Sequence, residues 1–236
     1  MGVPIVAFMC GRYFLNSAPA DIDLVFDIDA RDNFPPRYNI APTQPIAVIR
    51  LDQRRRREYA LVRWGFIPEW AKKDFAERMK SRPLINARAE TAAEKPTFRS
   101  AYRRRRCLVP ADGFYEWVAK GAAKQAYCIR PAEEGVFAFA GIWETALAPD
   151  GGEIDTAAIL TTAAGPDLKA IHHREPVVIS RRDAEQWLYA DERDAGALAE
   201  MLTPAPRGAW HAYPVASDVN SVRNDGPHLI EPEGFL

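Results

Sequence analysis

Met9-Cys10-Gly11-Arg12-Tyr13 sets a cysteine directly after a methionine, close to the chain start. Removal of that methionine would make Cys10 a first residue with two nucleophiles, its thiolate and its free α-amine. The amine has a reference pKa of about 7.7–8.0, so a useful fraction is neutral at physiological pH. The thiolate is the intrinsically stronger nucleophile. On one residue the pair forms a 1,2-aminothiol, which takes an aldehyde first as a Schiff base and then closes a five-membered thiazolidine ring. An internal cysteine forms only a labile hemithioacetal. Residues 1–9 as written hold the Cys10 nitrogen in a peptide bond, so the chemistry turns on which residue is first.

Other polar residues stand in unusual settings. Glu116 lies in Gly113-Phe114-Tyr115-Glu116-Trp117, where strand alternation groups Phe114, Glu116 and Val118 on one face and Tyr115 and Trp117 on the other. A carboxylate in that company is desolvated and its pKa rises toward general acid/base use. An edge-strand glutamate turned to water carries equal weight. His172 and His173 could relay protons near neutral pH, against the commoner role of a histidine that meets carbonyls at a helix end. Asn86, after Leu84-Ile85, could hold a sugar hydroxyl or a developing charge, and a turn or cap asparagine is the default alternative. Arg103-Arg104-Arg105-Arg106, with Arg99, suits a phosphate backbone better than dipole compensation alone, whereas Arg54-Arg55-Arg56-Arg57 reads as a solvated loop tip. Trp64, Trp117 and Trp143 suit a core, and Trp70, in the charged run Glu69 to Lys80, suits the surface. Neither a metal-ligand set nor a glycine-rich phosphate loop emerges, so no cofactor is expected.

The elements that must position these residues are mostly short strands. Ile46–Ile49 and Tyr59–Trp64 flank the charged tip Asp52–Arg57 as a hairpin, and Phe114–Val118 and Ala126–Ile129 flank Lys120-Gly121 as a second. Val136–Trp143 and Thr156–Thr162 are separated by the turn signal Pro149-Asp150-Gly151-Gly152, and Pro176–Ile179 is a further strand. Helices are expected after Ser180, over Asp194–Leu202, from Pro96 through Tyr102, and over Asp21–Phe26. Pro19, Pro35, Pro36, Pro42 and Pro45 break the early region into loops. With 236 residues, 47% hydrophobic content and no linker-like stretch, the chain reads as one α+β domain with a mostly antiparallel β core and a few peripheral helices. A net charge of -1 excludes a globally basic molecule, so a nucleic-acid surface must be local. The 3 cysteines give no disulfide framework, which points to a reducing, cytoplasmic setting, with Cys107 and Cys128 as inert core thiols. No apolar run approaches a membrane span.

Taken together, ordered blocks of this chain resemble the SRAP-domain family of YedK-like and HMCES-like abasic site processing proteins. They are Cys10-Gly11-Arg12-Tyr13, Arg37-Tyr38-Asn39-Ile40-Ala41-Pro42, Arg63-Trp64-Gly65-Phe66, Ile85-Asn86-Ala87-Arg88-Ala89-Glu90, Val109-Pro110-Ala111-Asp112-Gly113-Phe114-Tyr115-Glu116-Trp117, Phe139-Ala140-Gly141-Ile142-Trp143 and His172-His173-Arg174-Glu175-Pro176. The resemblance implies a single SRAP-type domain and a sensor and shield for abasic sites in single-stranded DNA. It implies crosslinking of the ring-opened aldehyde through the N-terminal cysteine. Cys10 would be the nucleophile, Glu116 the acid/base, His172 an aid to proton transfer at the sugar, and Asn86 a positioning group. Arg12, Asn39, Arg88 and Arg174 would hold phosphates or the pocket, with Pro42, Trp70 and Thr161 along the DNA path. The chain departs from the family in three places. Residues 1–8 precede the family's usual start and are expected to be an extension absent from the mature protein, ahead of a domain over 9–236. Glu175 stands where methionine is common, with an expected effect on packing rather than chemistry. Ala71 follows Trp70 where some members carry a second tryptophan.

The leading expectation is a monomer that captures abasic sites covalently in the DNA damage response, with strand cleavage by lyase chemistry left open. A self-processing cysteine peptidase with Cys10 and His172 as nucleophile and base is the second reading. A non-covalent single-stranded DNA binding module is the third, and it leaves Glu116 without a task.

Overall fold

The computed structural model describes residues 10–28, 34–121, 123–147 and 151–234. Residues 1–9, on which the expectation about the chain start bears, lie outside the described residues, as do Pro149 and Asp150 of the expected turn. In chain order the elements are β1 (Tyr13–Leu15), α1 (Pro19–Phe26), β2 (Arg37–Ile40), β3 (Pro45–Leu51), β4 (Arg57–Trp64) and α2 (Lys73–Ser81). Next come β5 (Asn86–Arg88), α3 (Ala89–Ala92), α4 (Arg99–Arg104), β6 (Arg106–Ala111), β7 (Gly113–Lys120) and β8 (Ala123–Pro131). The rest are β9 (Phe137–Leu147), β10 (Glu153–Ala163), β11 (Arg174–Pro176), β12 (Val178–Ile179), α5 (Ala184–Tyr189) and β13 (Trp210–Val215).

The protein is a single α+β domain of mostly antiparallel sheet. One five-stranded sheet runs β13-β8-β7-β1-β2, and a second, eight-stranded sheet runs β11-β10-β4-β3-β6-β9-β12, with β5 added beside β10. Because β10 pairs with β4 on one side and with β9 on the other, the strands β10, β4, β3, β6 and β9 close into a small barrel. The pairs of β10 with β4 and with β5 are parallel, the exceptions to the antiparallel pattern.

Both expected hairpins form. At the tip between β3 and β4 the Asp52 carboxylate accepts the N–H groups of Arg54 and Arg56, and Arg55 takes a φ of 58°. At the tip between β7 and β8, Gly121 takes a φ of 63°, a conformation glycine adopts at little cost. Pro19 opens α1, and Asp27 ends it in the left-handed region at φ 51°. The Ser180 hydroxyl accepts the Asp183 N–H, but this closes a turn ahead of α5, which begins at Ala184 with Asp183 and not Ser180 at its N-cap position.

Three element bounds need correction. The strand expected over Pro176–Ile179 is two short strands, β11 ending at Pro176 beside β10 and β12 over Val178–Ile179 beside β9. The helix over Asp194–Leu202 is a pair of 3-10 segments, Glu192–Asp194 and Ala197–Met201, split at Gly196. The helix expected from Pro96 begins at Arg99, and the arginine run leaves it at Arg105 so that Arg106 already opens β6.

Apolar residues fill both faces of the five-stranded sheet. Tyr13 and Phe114 point into the main core with Trp64, Phe139 and Trp187, while Phe14 and Tyr115 pack with Val215, Val219 and Leu229 on the far side. The alternation read from the sequence therefore places Glu116, two residues after Phe114, on the main-core face.

Candidate active site

The β1–β7 pairing assembles the first part of the site. Tyr13 faces Phe114, Phe14 faces Gly113, and the Tyr115 N–H donates to the Arg12 carbonyl at 3.0 Å. Beyond the end of β1 the Cys10 N–H donates to Glu116 Oε1 at 2.7 Å. Cys10 is 1% exposed and Glu116 is 4% exposed, which decides between a buried and a water-facing glutamate. Burial raises the Glu116 carboxyl to about 7, against the opposing pull of the Cys10 and Trp117 N–H groups. Burial, and next the Glu116 charge, push the Cys10 thiol well up, so it is a protonated thiol that needs a base to act. Cys10 holds a φ of 40°, which is strained for a residue with a side chain.

Arg12, two residues on, turns its side chain to the other face of the sheet and is used within the protein. It donates to Asn39 Oδ1 at 2.6 Å and to the Val219 carbonyl at 2.8 Å, with its guanidinium 5.6 Å from the Trp117 ring centre. Asn39 in turn donates to the carbonyls of Val219, Ser221 and Asn224 at 3.3, 3.0 and 2.8 Å. It is buried, and its amide is spent on these carbonyls.

A second set gathers where β5, β10 and β11 meet. Asn86 and Arg88 lie opposite Ile159 and Thr161 in the parallel pair, and Thr161 lies opposite Pro176. Arg174 donates two bonds to the Glu90 carboxylate, at 2.5 and 2.8 Å, and further bonds to the carbonyl and hydroxyl of the buried Thr161. The Arg174 bond is the main cause holding the Glu90 carboxyl below its usual range. His172 Nδ1 lies 3.1 Å from the Arg174 N and 3.0 Å from the Arg174 carbonyl, so the ring is fixed in either tautomer. The ring of the exposed His173 lies 4.3 Å from that of His172, and desolvation, then His172, Arg174 and Arg88, keep its imidazole below the ordinary range. Thr161 is fully buried beneath Arg174, so its own side chain does not reach the surface.

The contacts thus join Cys10 with Glu116 on the main-core face, Arg12 with Asn39 and Trp117 on the far side of the sheet, and Asn86, Arg88, Thr161, His172 and Arg174 where β5, β10 and β11 meet. The first and last of these are linked through the core: the Tyr13 ring packs edge-on against Trp64 at 5.4 Å, and Trp64 Nε1 donates to the carbonyl of Ile85, next to Asn86. Pro42 is half-buried between β2 and β3, just before Thr43 donates to the Trp64 carbonyl at 2.8 Å. Trp70 is 56% exposed, its ring held by a 3.3 Å bond to the Pro96 carbonyl and by an edge contact with Phe75.

The hairpin tip is solvent-exposed as expected, whereas three members of the second arginine run are bonded within the protein and Arg103 is exposed. Arg106 is buried and donates to the carbonyls of Trp187, Tyr102, Arg103 and Ala190. Arg105 pairs with the buried Glu144 at 3.1 Å, and Arg104 binds Glu192 through two bonds. In the hairpin tip, Arg56 pairs with Asp52 and Arg55 donates to the Tyr189 carbonyl. The sequence reading missed Glu90 and the Val219–Asn224 segment. Glu90 had a signal, since it follows Arg88 in the first turn of α3. The carbonyls of the C-terminal segment had none. Among the described residues no three His, Cys, Asp or Glu side chains gather as a metal site, and no helix is long and apolar enough to cross a membrane.

Comparison with known proteins bears on this geometry. A family model described as "SOS response associated peptidase (SRAP)" matches residues 9–222. "Abasic site processing protein YoqW" of Bacillus subtilis (strain 168) is 38% identical, over 94% of this chain and 99% of its own. "Abasic site processing protein YedK" of Escherichia coli (strain K12) is 31% identical, over 95% of this chain and 100% of its own. A crystal structure of a protein from Bacteroides thetaiotaomicron superposes with a TM-score of 0.78 at 26% identity, covering 94% of this chain and 99% of that one.

Proposed function

This chain belongs to the SRAP family, and from that premise we propose that it captures abasic sites in single-stranded DNA by a covalent bond to Cys10, shielding the lesion during the DNA damage response. The observation that carries the reading is the 2.7 Å contact between the Cys10 nitrogen and a buried Glu116 carboxyl raised to about 7. In a chain that starts at Cys10 this nitrogen is an α-amine. Attack on the open-chain aldehyde gives a carbinolamine, and a proton from Glu116 lets its hydroxyl leave as water. The Cys10 thiol then adds across the C=N bond, its proton passing to nitrogen through Glu116, and the thiazolidine closes with the net loss of one water. A carboxyl raised to about 7 can give and take a proton near neutral pH, which both steps need. His172 serves proton transfer at the sugar and Asn86 positions the reacting group. Arg88 and Arg174 face the phosphates, and Pro42 and Trp70 line the strand's path. The protein acts as a cytoplasmic monomer without a cofactor, residues 9–236 forming the working domain.

The test is direct. Protein beginning at Cys10 is incubated with single-stranded DNA carrying one abasic site, and a band that survives denaturation is expected. The same band from Cys10→Ala would end this reading.

One observation also favours self-processing. Glu116 sits on the nitrogen of the 9–10 peptide bond, where it can protonate a leaving amine, and the Cys10 backbone at this bond is strained. Thiol attack on the preceding carbonyl, departure of the amine and hydrolysis of the thioester would release residues 1–9. Full-length protein should then lose this segment on standing, while Cys10→Ala and Glu116→Gln keep it. Identical N-termini in all three remove the idea.

A further inference from the structure

We propose that Glu175, helped by Asp167, is a positioning residue: it clamps the turn that carries His172 to the segment entering β13. The proposal rests on the reading of His172 as a working group at the sugar.

Glu175 is 1% exposed, and neither hydrogen bond described for its carboxylate goes to a cation. Its Oε2 accepts the Gly165 N–H at 2.9 Å and its Oε1 accepts the Ala205 N–H at 2.6 Å. Gly165 begins the turn. Its carbonyl accepts from Leu168 and Lys169, and the Leu168 carbonyl accepts from Ile171 and His172 at 2.8 and 2.9 Å. The bonds therefore run without a break from Glu175 to the His172 backbone. The packing is equally tight, since a Cβ on Gly165 would lie 2.5 Å from the Ala205 carbonyl oxygen.

Asp167, in the same turn, grips the other end of the same segment. It accepts the Trp210 N–H at 3.2 Å, and the N–H groups of Gly208, Trp210 and Ala209 hold its carboxyl below the usual range. Trp210 opens β13, and its ring packs edge-on against Phe114 at 5.2 Å, two residues from Glu116. β13 pairs with β8, and β8 pairs with β7, which carries Glu116. Residues 205–210 thus link the histidine turn to the strand of the acid/base residue, and two carboxylates make the link. A glutamine at 175 keeps the shape but turns an NH2 group toward one of the two backbone donors, so one anchor is lost.

The test is a double-mutant cycle on the full domain, read as the single-turnover rate of crosslinking to single-stranded DNA with one abasic site. Glu175→Gln should slow the rate on the order of 10-fold while affinity for lesion-free single strands is unchanged. In a His172→Ala background it should cost nothing further. An equal loss in both backgrounds, or an unchanged rate in folded Glu175→Gln, would overturn the proposal. The His172 ring is also followed by NMR in the protein without DNA. A shifted ring signal in Glu175→Gln is expected, and an unmoved one counts against the clamp even if wild type forms no crosslink. Should Glu175→Gln fail to fold, Asp167→Asn, which cuts the less buried anchor, runs through the same cycle with the same expected signs.

Discussion

At Glu116 the loss of hydration outweighs two N–H donors, so the folded protein holds the proton more tightly than the unfolded chain does. The unfolded value is about 4.3. The stabilisation is therefore fully present below that pH and is lost as pH rises through about 7. The shift corresponds to a span on the order of 3 kcal/mol. Glu116→Gln, which cannot ionise, should flatten that part of the profile and be the more stable protein at alkaline pH, as urea melts across the range will report. Its crosslinking rate should also lose the limb that wild type shows near neutrality. Cys10→Ala in a chain starting at residue 10 keeps the amine and loses the thiol. Its Schiff base cannot close a ring, so β-elimination should nick abasic DNA faster than wild type does, which a denaturing gel will resolve. The sequence showed that Glu116 alternates with apolar residues. It did not show that Cys10, just ahead of β1, would meet the Glu116 carboxyl, because the two lie about a hundred residues apart.

Among the elements, β7 carries the greatest constraint, because it presents Glu116 to one core and Tyr115 to the other. Its first residue leaves no room for a side chain: a Cβ on Gly113 would lie 2.3 Å from the Phe14 ring and 2.6 Å from the Ile129 carbonyl oxygen. Gly113→Ala should cost about 3 kcal/mol and lower the crosslinking rate, through displacement of the strand. Arg106→Met leaves four carbonyls without their donor and should also cost about 3 kcal/mol. Arg103→Ala, at an exposed position in the same run, should stay within about 0.5 kcal/mol of wild type. Chemical denaturation separates the two. The hairpins β3–β4 and β7–β8 were legible because alternation and turn residues are local signals. The short strands β1, β2, β5 and β13 were not, because their partners lie far along the chain. Nor could four consecutive arginines announce that the carbonyl end of α5 would pack against them.

For the molecule as a whole, the net charge is -1, and within the second arginine run Arg104, Arg105 and Arg106 are already bonded to partners in the protein. Binding to single-stranded DNA should then show a modest salt dependence. Arg88→Ala should reduce the slope of log K against log salt by about 0.7, the share of one phosphate contact, and Arg54→Ala should leave it unchanged. The resemblance read from the sequence spans nearly the whole domain, and the barrel it implied only as a β core is closed by β10, whose partners β4 and β5 no local pattern predicts. The bonds from Arg12 and Asn39 to Val219, Ser221 and Asn224 set an order of events during synthesis. A ribosome makes the residues around Cys10 first, yet the partners that fix their surroundings leave it last. Arg12 and Asn39 must wait for nearly the whole polypeptide before their carbonyl partners exist, so a truncated product would leave both side chains unanchored.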